Sequence, residues 1–312
     1  MTRENERQAL DTFSYEILSL LKSGYLAASE RDDFEVHDIG SSFSARQFYV
    51  ARLEDNLIRS MDVRHIEEYR RGSGSELDDK MRALRSSSAM TFNLLGNGPV
   101  NVLWSNSRES YEVSYEVQLP TRASGLPANL DAMLVNKDHV IACEMKMLEW
   151  LLGKPGVLKS AYRKRETYRD ERTANAFLNL ADTLFDQNGL PLLARYDAAQ
   201  MFKHALALYN SCAEGRWPTQ RRVDLVNVVH EMGESALRQL SPLSRNHYED
   251  ALAEEHRGAQ HFVEAASETL APLFETPGFA FTIVYTPVSD LISMLELDDA
   301  TCSTLRTRYL LE

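Results

Sequence analysis

The sequence predicts an α/β protein, strands gathered into a sheet and flanked by helices, and three observations carry the prediction. Tyr111 to Leu119, YEVSYEVQL, alternates apolar and polar residues with the period of a half-buried strand. Leu130 to Val135 and Val140 to Met147 are apolar runs on either side of Asn136-Lys137-Asp138-His139, a polar tetrad that reads as a hairpin turn. Val223 to Val229 and Phe279 to Tyr285 are short and rich in β-branched or aromatic residues, as strands are, with a helical stretch between them.

The remaining elements follow in chain order. Residues 1–70 read as a helical region: Leu10, Phe13, Ile17, Leu20 and Leu21 recur at helical spacing within Ala9 to Leu26, and Phe48, Val50, Leu53, Leu57 and Ile58 within Ser44 to Arg70. A Gly/Ser break at 71–77 then separates this region from a helix predicted from Glu76 to Leu95, which Gly96-Asn97-Gly98-Pro99 ends. After the hairpin, a long helix is predicted from about Lys159 to Phe185, and a second from an N-cap at Asp197 to about Cys212. Residues 246–272 read as helical, and two short helices, about Leu291 to Leu297 and Ala300 to Leu311, close the chain. We therefore expect a helical N-terminal region over 1–70, a principal domain over 71–290 and a helical tail over 291–312.

The hairpin poses an electrostatic problem. Pairing Val135 with Val140 sets Asp131 opposite Glu144, and alternation puts both acids on one face with Lys146, while Ile141, Cys143, Met145 and Met147 take the other. Opposed like charges in a ladder are destabilising, so positive charge belongs between them. Lys146 supplies one charge, and a hard divalent cation held by the carboxylates would supply more.

Asp131, twelve intervening residues and then Glu144-Met145-Lys146 on the following strand resembles the PD-(D/E)XK nuclease superfamily, with its restriction-endonuclease-like fold; Pro127 lies four residues before the aspartate rather than beside it. At the level of element order the resemblance covers roughly residues 70–290. It implies a central mixed β-sheet flanked by helices, with helical insertions, and Mg²⁺ or Mn²⁺ as cofactor. It further implies Asp131, Glu144 and the carbonyl of Met145 as metal ligands, and Lys146 as the group that orients the attacking water or offsets developing charge. Many members add a glutamate before the first strand, for which Glu76 and Glu116 both qualify. Glu149 could orient Lys146. Gln200, Lys203 and His204 share one face of a later helix, where related nucleases place a Gln, Lys or His beside the site.

The implied function is a phosphodiester hydrolase, a DNA endonuclease of restriction or defence type; the alternatives are an inactive nuclease-like scaffold or regulatory subunit and an RNA-directed nuclease. A homodimer is an assembly that the resemblance allows. A net charge of −12 argues against nonspecific coating of nucleic acid. Locally, Lys159 to Arg172 carries six basic and three acidic residues. Lys159, Arg163, Arg165 and Arg169 are the candidate phosphate-binding residues there, with Lys203 beyond, and a helical wheel puts Tyr162, Arg165, Arg169 and Arg172 on one face. Cys143, Cys212 and Cys302 are too far apart for a disulfide framework or a zinc motif. With no apolar run of about 18 residues and no apolar leader in MTRENERQALD, a cytoplasmic protein with no membrane contact is expected.

Overall fold

The computed structural model describes residues 11–29, 48–72, 76–104, 107–123, 127–154 and 156–312. Helices α1 (Thr12–Ala28), α2 (Val63–Arg71) and α3 (Ser87–Leu95) lead into strands β1 (Val100–Trp104), β2 (Ser107–Leu119), β3 (Ala128–Val135) and β4 (His139–Lys146). Then come α4 (Glu149–Leu152), α5 (Glu171–Leu184), α6 (Ala198–Ala213), β5 (Arg222–Val229), α7 (Glu234–Leu237), α8 (Pro242–Phe274), β6 (Ala280–Pro287), α9 (Val288–Met294) and α10 (Asp299–Arg308). The strands form one six-stranded sheet in chain order: β1 to β4 pair antiparallel, and β5 and β6 extend it in parallel from β4. Antiparallel neighbours need only short turns, whereas the two parallel steps need crossovers, which α4–α6 and α7–α8 supply. The predicted mixed sheet flanked by helices is the observed one.

Each face of the sheet carries a core. On one side Ile141, Cys143, Met145 and Met147 pack with Ile17, Leu21, Phe92 and Leu305, so the first and last helices share this layer. On the other side Val140, Ala142, Val223 and Leu225 pack with Phe177, Phe202, Phe262 and Leu270 of α5, α6 and α8. Glu144 and Lys146 continue the row of Val140 and Ala142, and so point toward α6. Among the described residues no helix is long and apolar enough to cross a membrane.

Several expectations need correction. Strand β1 was not foreseen; Val100, Val102 and Trp104 alternate beside β2 and pair with it from Val100–Tyr111 to Trp104–Ser107. The single-faced strand expected from Tyr111 to Leu119 instead changes sides: Tyr111, Val113 and Tyr115 lie in the first core, Val117 and Leu119 against the second. Between them Glu116 adopts φ +49, a left-handed conformation costing a non-glycine residue about 1–2 kcal/mol. The partner strand changes sides with it, since Ala132 joins the first core and Leu130 the second, with Asp131 between.

The helix expected from Lys159 to Phe185 is shorter. Short 3-10 turns at Ser160–Arg163 and Arg165–Thr167 precede α5, whose N-cap Asp170 accepts from the Thr173 amide at 2.8 Å. Burial of Tyr162 and Tyr168 holds the preceding chain in this wrapped path, so the arginine stripe of the helical wheel does not form. Likewise α3 starts at Ser87, capped by Ser86, and not at Glu76, because serines suit caps better than helix interiors. The helix expected from Ser44 to Arg70 is confined to α2 after a 3-10 turn at Leu53–Asn56; its first residues, 44–47, lie outside the described residues, as do residues 9–10 of the first helix and 73–75 of the Gly/Ser break.

Candidate active site

The β3–β4 pairing runs from Val135–Val140 to Ala132–Cys143, the expected register, but it stops before Asp131 and Glu144, so the direct cross-strand pair expected of them is not made. Beyond Cys143 the ladder opens at the site. Asp131 turns its carboxylate to the next backbone amide on β4, accepting from Met145 N at 2.7 Å through Oδ2. Glu144, only 2% exposed, has both oxygens engaged: Oε1 lies 2.8 Å from Lys146 Nζ and Oε2 2.8 Å from His204 Nε2. Lys146 Nζ also donates to Gln200 Oε1 at 2.6 Å and lies 4.0 Å from Asp197 Oδ2. Asn227 on β5 donates to the Glu144 carbonyl at 3.3 Å. Asp197 caps α6 through the Gln200 amide, which aims Gln200 and His204 at β4.

These groups open on a cavity of about 630 Å³ that Asp131, Glu144, Met145, Lys146, Glu149, Gln200, Lys203 and His204 line together with Glu76 and Glu116. Both glutamates that competed for the additional acidic position therefore reach it. Glu76 is held by Ser88 Oγ at 2.8 Å and Lys80 Nζ at 2.7 Å. Glu116 accepts from Asn129 Nδ2. A Cβ on Gly72 would sit 2.8 Å from Glu116 Oε2, so the chain after α2 passes close to this carboxylate and a larger residue there would have to displace it. Glu149 accepts from the Met147 amide at 2.6 Å, tying it to the first turn of α4.

Crowding of acids sets the electrostatics. Burial pushes the Asp131 carboxyl well above the usual carboxylate range, and Glu144 adds to it. Burial likewise raises Glu116 to about 7, against the hydrogen bond from Asn129 and with help from Glu76 and Glu144. Glu144 behaves oppositely: burial alone would raise it, but Lys146 and His204 outweigh burial and hold it at about 2. Lys146 is raised by Glu144, Asp197 and Asp131 against the opposing effect of burial, so it is an ammonium.

The arginines of the basic segment before α5 are partnered within the chain. Arg163 is consumed by the fold: it donates to the Phe185 and Asp186 carbonyls at 3.1 and 2.7 Å and pairs with Asp182 at 2.7 Å. Arg165 pairs with Glu171 and Asn175, and Arg169 lies 3.7 Å from Asp170. Lys159 does approach the site, lining a small adjoining cavity with Gln200 and Lys203. Arg163→Ala should cost about 2 kcal/mol of stability by orphaning those carbonyls; urea unfolding measures the effect. Asn129 and Asn227 were missed in the sequence. Asn129 was legible, two residues before Asp131 on the same strand; Asn227 was not, because only the parallel β4–β5 register brings it to Glu144.

Residues 27–272 match a family described as restriction endonuclease associating with ARP, over more than half of the chain. No curated protein and no solved structure matches it. With its mixed sheet, its hairpin of acids and this match, the chain belongs to that restriction-endonuclease family.

Proposed function

We propose that the protein is a divalent-cation-dependent phosphodiester hydrolase of the PD-(D/E)XK type, a DNA endonuclease of restriction or defence type. The observation that carries the reading is the convergence of Asp131, Glu144 and Lys146 on one open cavity, with Lys146 Nζ 2.8 Å from Glu144 Oε1.

The donor set fits a hard cation. Burial and mutual repulsion hold Asp131 and Glu116 toward their protonated forms beside the ionised Glu144, a crowding that a cation would relieve, and the buried Oδ1 of Asn129 has no partner in the structure. Among the described residues no three His, Cys, Asp or Glu side chains converge closely enough to hold a metal alone. Mg²⁺ or Mn²⁺ is commonly held by one or two carboxylates with water and substrate phosphate completing the shell. Asp131, Glu144 and the Met145 carbonyl would hold it. When bound, such an ion makes a water nucleophilic and draws charge from the phosphate.

The chain's own groups do the rest. Gln200 and Glu144 fix the Lys146 ammonium at the cavity wall, where it faces the charge that develops on the phosphoryl oxygens. His204 anchors the far oxygen of Glu144, so the carboxylate keeps its orientation as substrate enters. Lys203 and Lys159, on the rim, are placed to meet flanking phosphates. The family's description names an association with ARP, so we extend the proposal to a companion protein; a homodimer rests on analogy alone.

One observation favours a second reading, an inactive scaffold: both oxygens of Glu144 are satisfied without a cation. Two measurements separate the readings. Purified protein is incubated with plasmid DNA, and separately with RNA, in Mg²⁺ or Mn²⁺ beside Asp131→Ala and Lys146→Ala; equal cutting by all three removes the proposed site, and cutting of RNA alone reassigns the substrate. The second is thermal. Asp131 and Glu116 ionise above their unfolded values, so the stability due to their protonated forms is complete below about pH 4 and lost as pH rises through their folded values, near 7 for Glu116. Added Mg²⁺ or Mn²⁺ should therefore raise Tm more at pH 8 than at pH 5.5. No shift at either pH favours the scaffold.

A further inference from the structure

Lys146 and Glu149, which line the main cavity, also line a second, much smaller chamber of about 40 Å³. Glu255 of α8 lines it together with Lys146, and so do Asp197, Arg195 and Asn227. Its volume exceeds the roughly 10–15 Å³ that one water needs, and its walls supply the polar partners a buried water requires. Glu255 is only 1% exposed, and its Oε2 has no hydrogen-bond partner; the hydroxyl of neighbouring Tyr196, equally buried, has none either. This approach is built into the chain. Gly258, one turn beyond Glu255, lies so close to Tyr196 that a Cβ there would sit 2.6 Å from the tyrosine Cβ. A carboxyl sealed at that depth with an unmet oxygen is costly unless it serves something adjacent.

We propose that Glu255 is a positioning residue for Lys146, reaching the lysine side chain through water held in this chamber. The inference rests on the assignment of Lys146 above. Glu255 faces Lys146 from β4, Glu149 from α4, Lys154 just after it, Arg195, Tyr196 and Asp197 before α6, Glu231 after β5 and Tyr285 from β6. Burial raises its carboxyl to about 8, with Lys146 pulling the other way and Asp197 and Glu231 reinforcing burial. At neutral pH the group is a neutral hydrogen-bonding end that leaves the ammonium to Glu144 and Gln200. Once ionised it competes with Glu144 for that ammonium.

Two measurements test this. Cleavage rate against pH should fall above about pH 8, and Glu255→Gln, locked neutral, should move that fall upward by at least one pH unit. Glu255→Leu, which cannot hold the water, should lower kcat about tenfold at pH 7 with KM little changed; a fall at the same pH in the Gln variant overturns the proposal. The second needs neither metal nor activity, and so still reports if the protein cuts nothing. The folded value of Glu255 exceeds its unfolded value of about 4.5, so stability due to its protonated form is lost as pH climbs toward 8. The Tm of Glu255→Gln minus that of the unsubstituted protein should therefore grow between pH 5 and 8.5. In a Lys146→Met background, where the opposing cation is gone, the gap should grow further. A gap identical in the two backgrounds separates Glu255 from Lys146 and overturns the inference.

Discussion

Lys146→Ala is expected to lower plasmid cleavage by about 10²–10³-fold and to destabilise the metal-free protein by about 3 kcal/mol. The two losses share a cause. Glu144 is almost fully buried, and the ammonium 2.8 Å from its Oε1 is the chief reason its carboxyl stays near 2 despite burial. A carboxyl depressed in this way contributes stability above its unfolded value, and that stability is lost as pH falls through the folded value. Without Lys146 the buried carboxylate keeps only His204, while Asp131 remains nearby. Removing one partner of a buried pair costs more than the pair contributes, because the survivor is left desolvated. At about 2–4 °C per kcal/mol for a chain of this size, Tm should drop by roughly 6–12 °C. Differential scanning calorimetry and a plasmid nicking assay measure the two effects; cutting at the unsubstituted rate would show that the chemistry lies elsewhere.

Asp131→Asn should divide function from stability. Its amide oxygen can still accept from Met145 N, so the local fold persists, but the negative charge is gone. We expect cleavage to fall by about 10²–10³-fold while metal-free stability at pH 8 rises, by the order of 0.5–2 kcal/mol seen when an active-site conflict is relieved. The sign follows from Asp131 being pushed up by burial and then by Glu144. The folded protein holds this proton more tightly than the unfolded chain, so its stability is lost as pH climbs through the folded value. Asparagine has no proton to lose, and its advantage should widen from pH 5 to pH 8. Saturating Mg²⁺ should narrow the gap, because only the aspartate gains from the ion. A variant less stable than the parent at pH 8 would mean that Asp131 is an ordinary satisfied acid.

The site was more legible than the sheet that carries it. Its central residues sit within one hairpin, where alternation and one apolar pair, Val135 with Val140, determine which side chains share a face. Gln200 and His204 were legible for the same reason, since helical spacing ties both to one face of α6. What escaped was whatever depends on a change of period or on distant chain. The reading of Tyr111 to Leu119 assumed a constant face, and no residue type there announces the crossing at Glu116. The basic run from Lys159 has helical composition, yet Tyr162 and Tyr168 gain more by entering the core than a helix would gain by continuing. Ser88 on Glu76 joins residues twelve positions apart through a turn that spacing cannot reveal.

The crossing in β2 also bears on transplantation. Because that ribbon migrates from one hydrophobic layer to the other beside Glu116 and Asp131, the acids stand at a seam to which both ends and the middle of the polypeptide contribute. A minimal hairpin grafted onto a foreign scaffold would carry the motif without the crease that aims it. Trimming α1 or α10 would be felt at the seam as loosened geometry, because both pack in the layer beneath it.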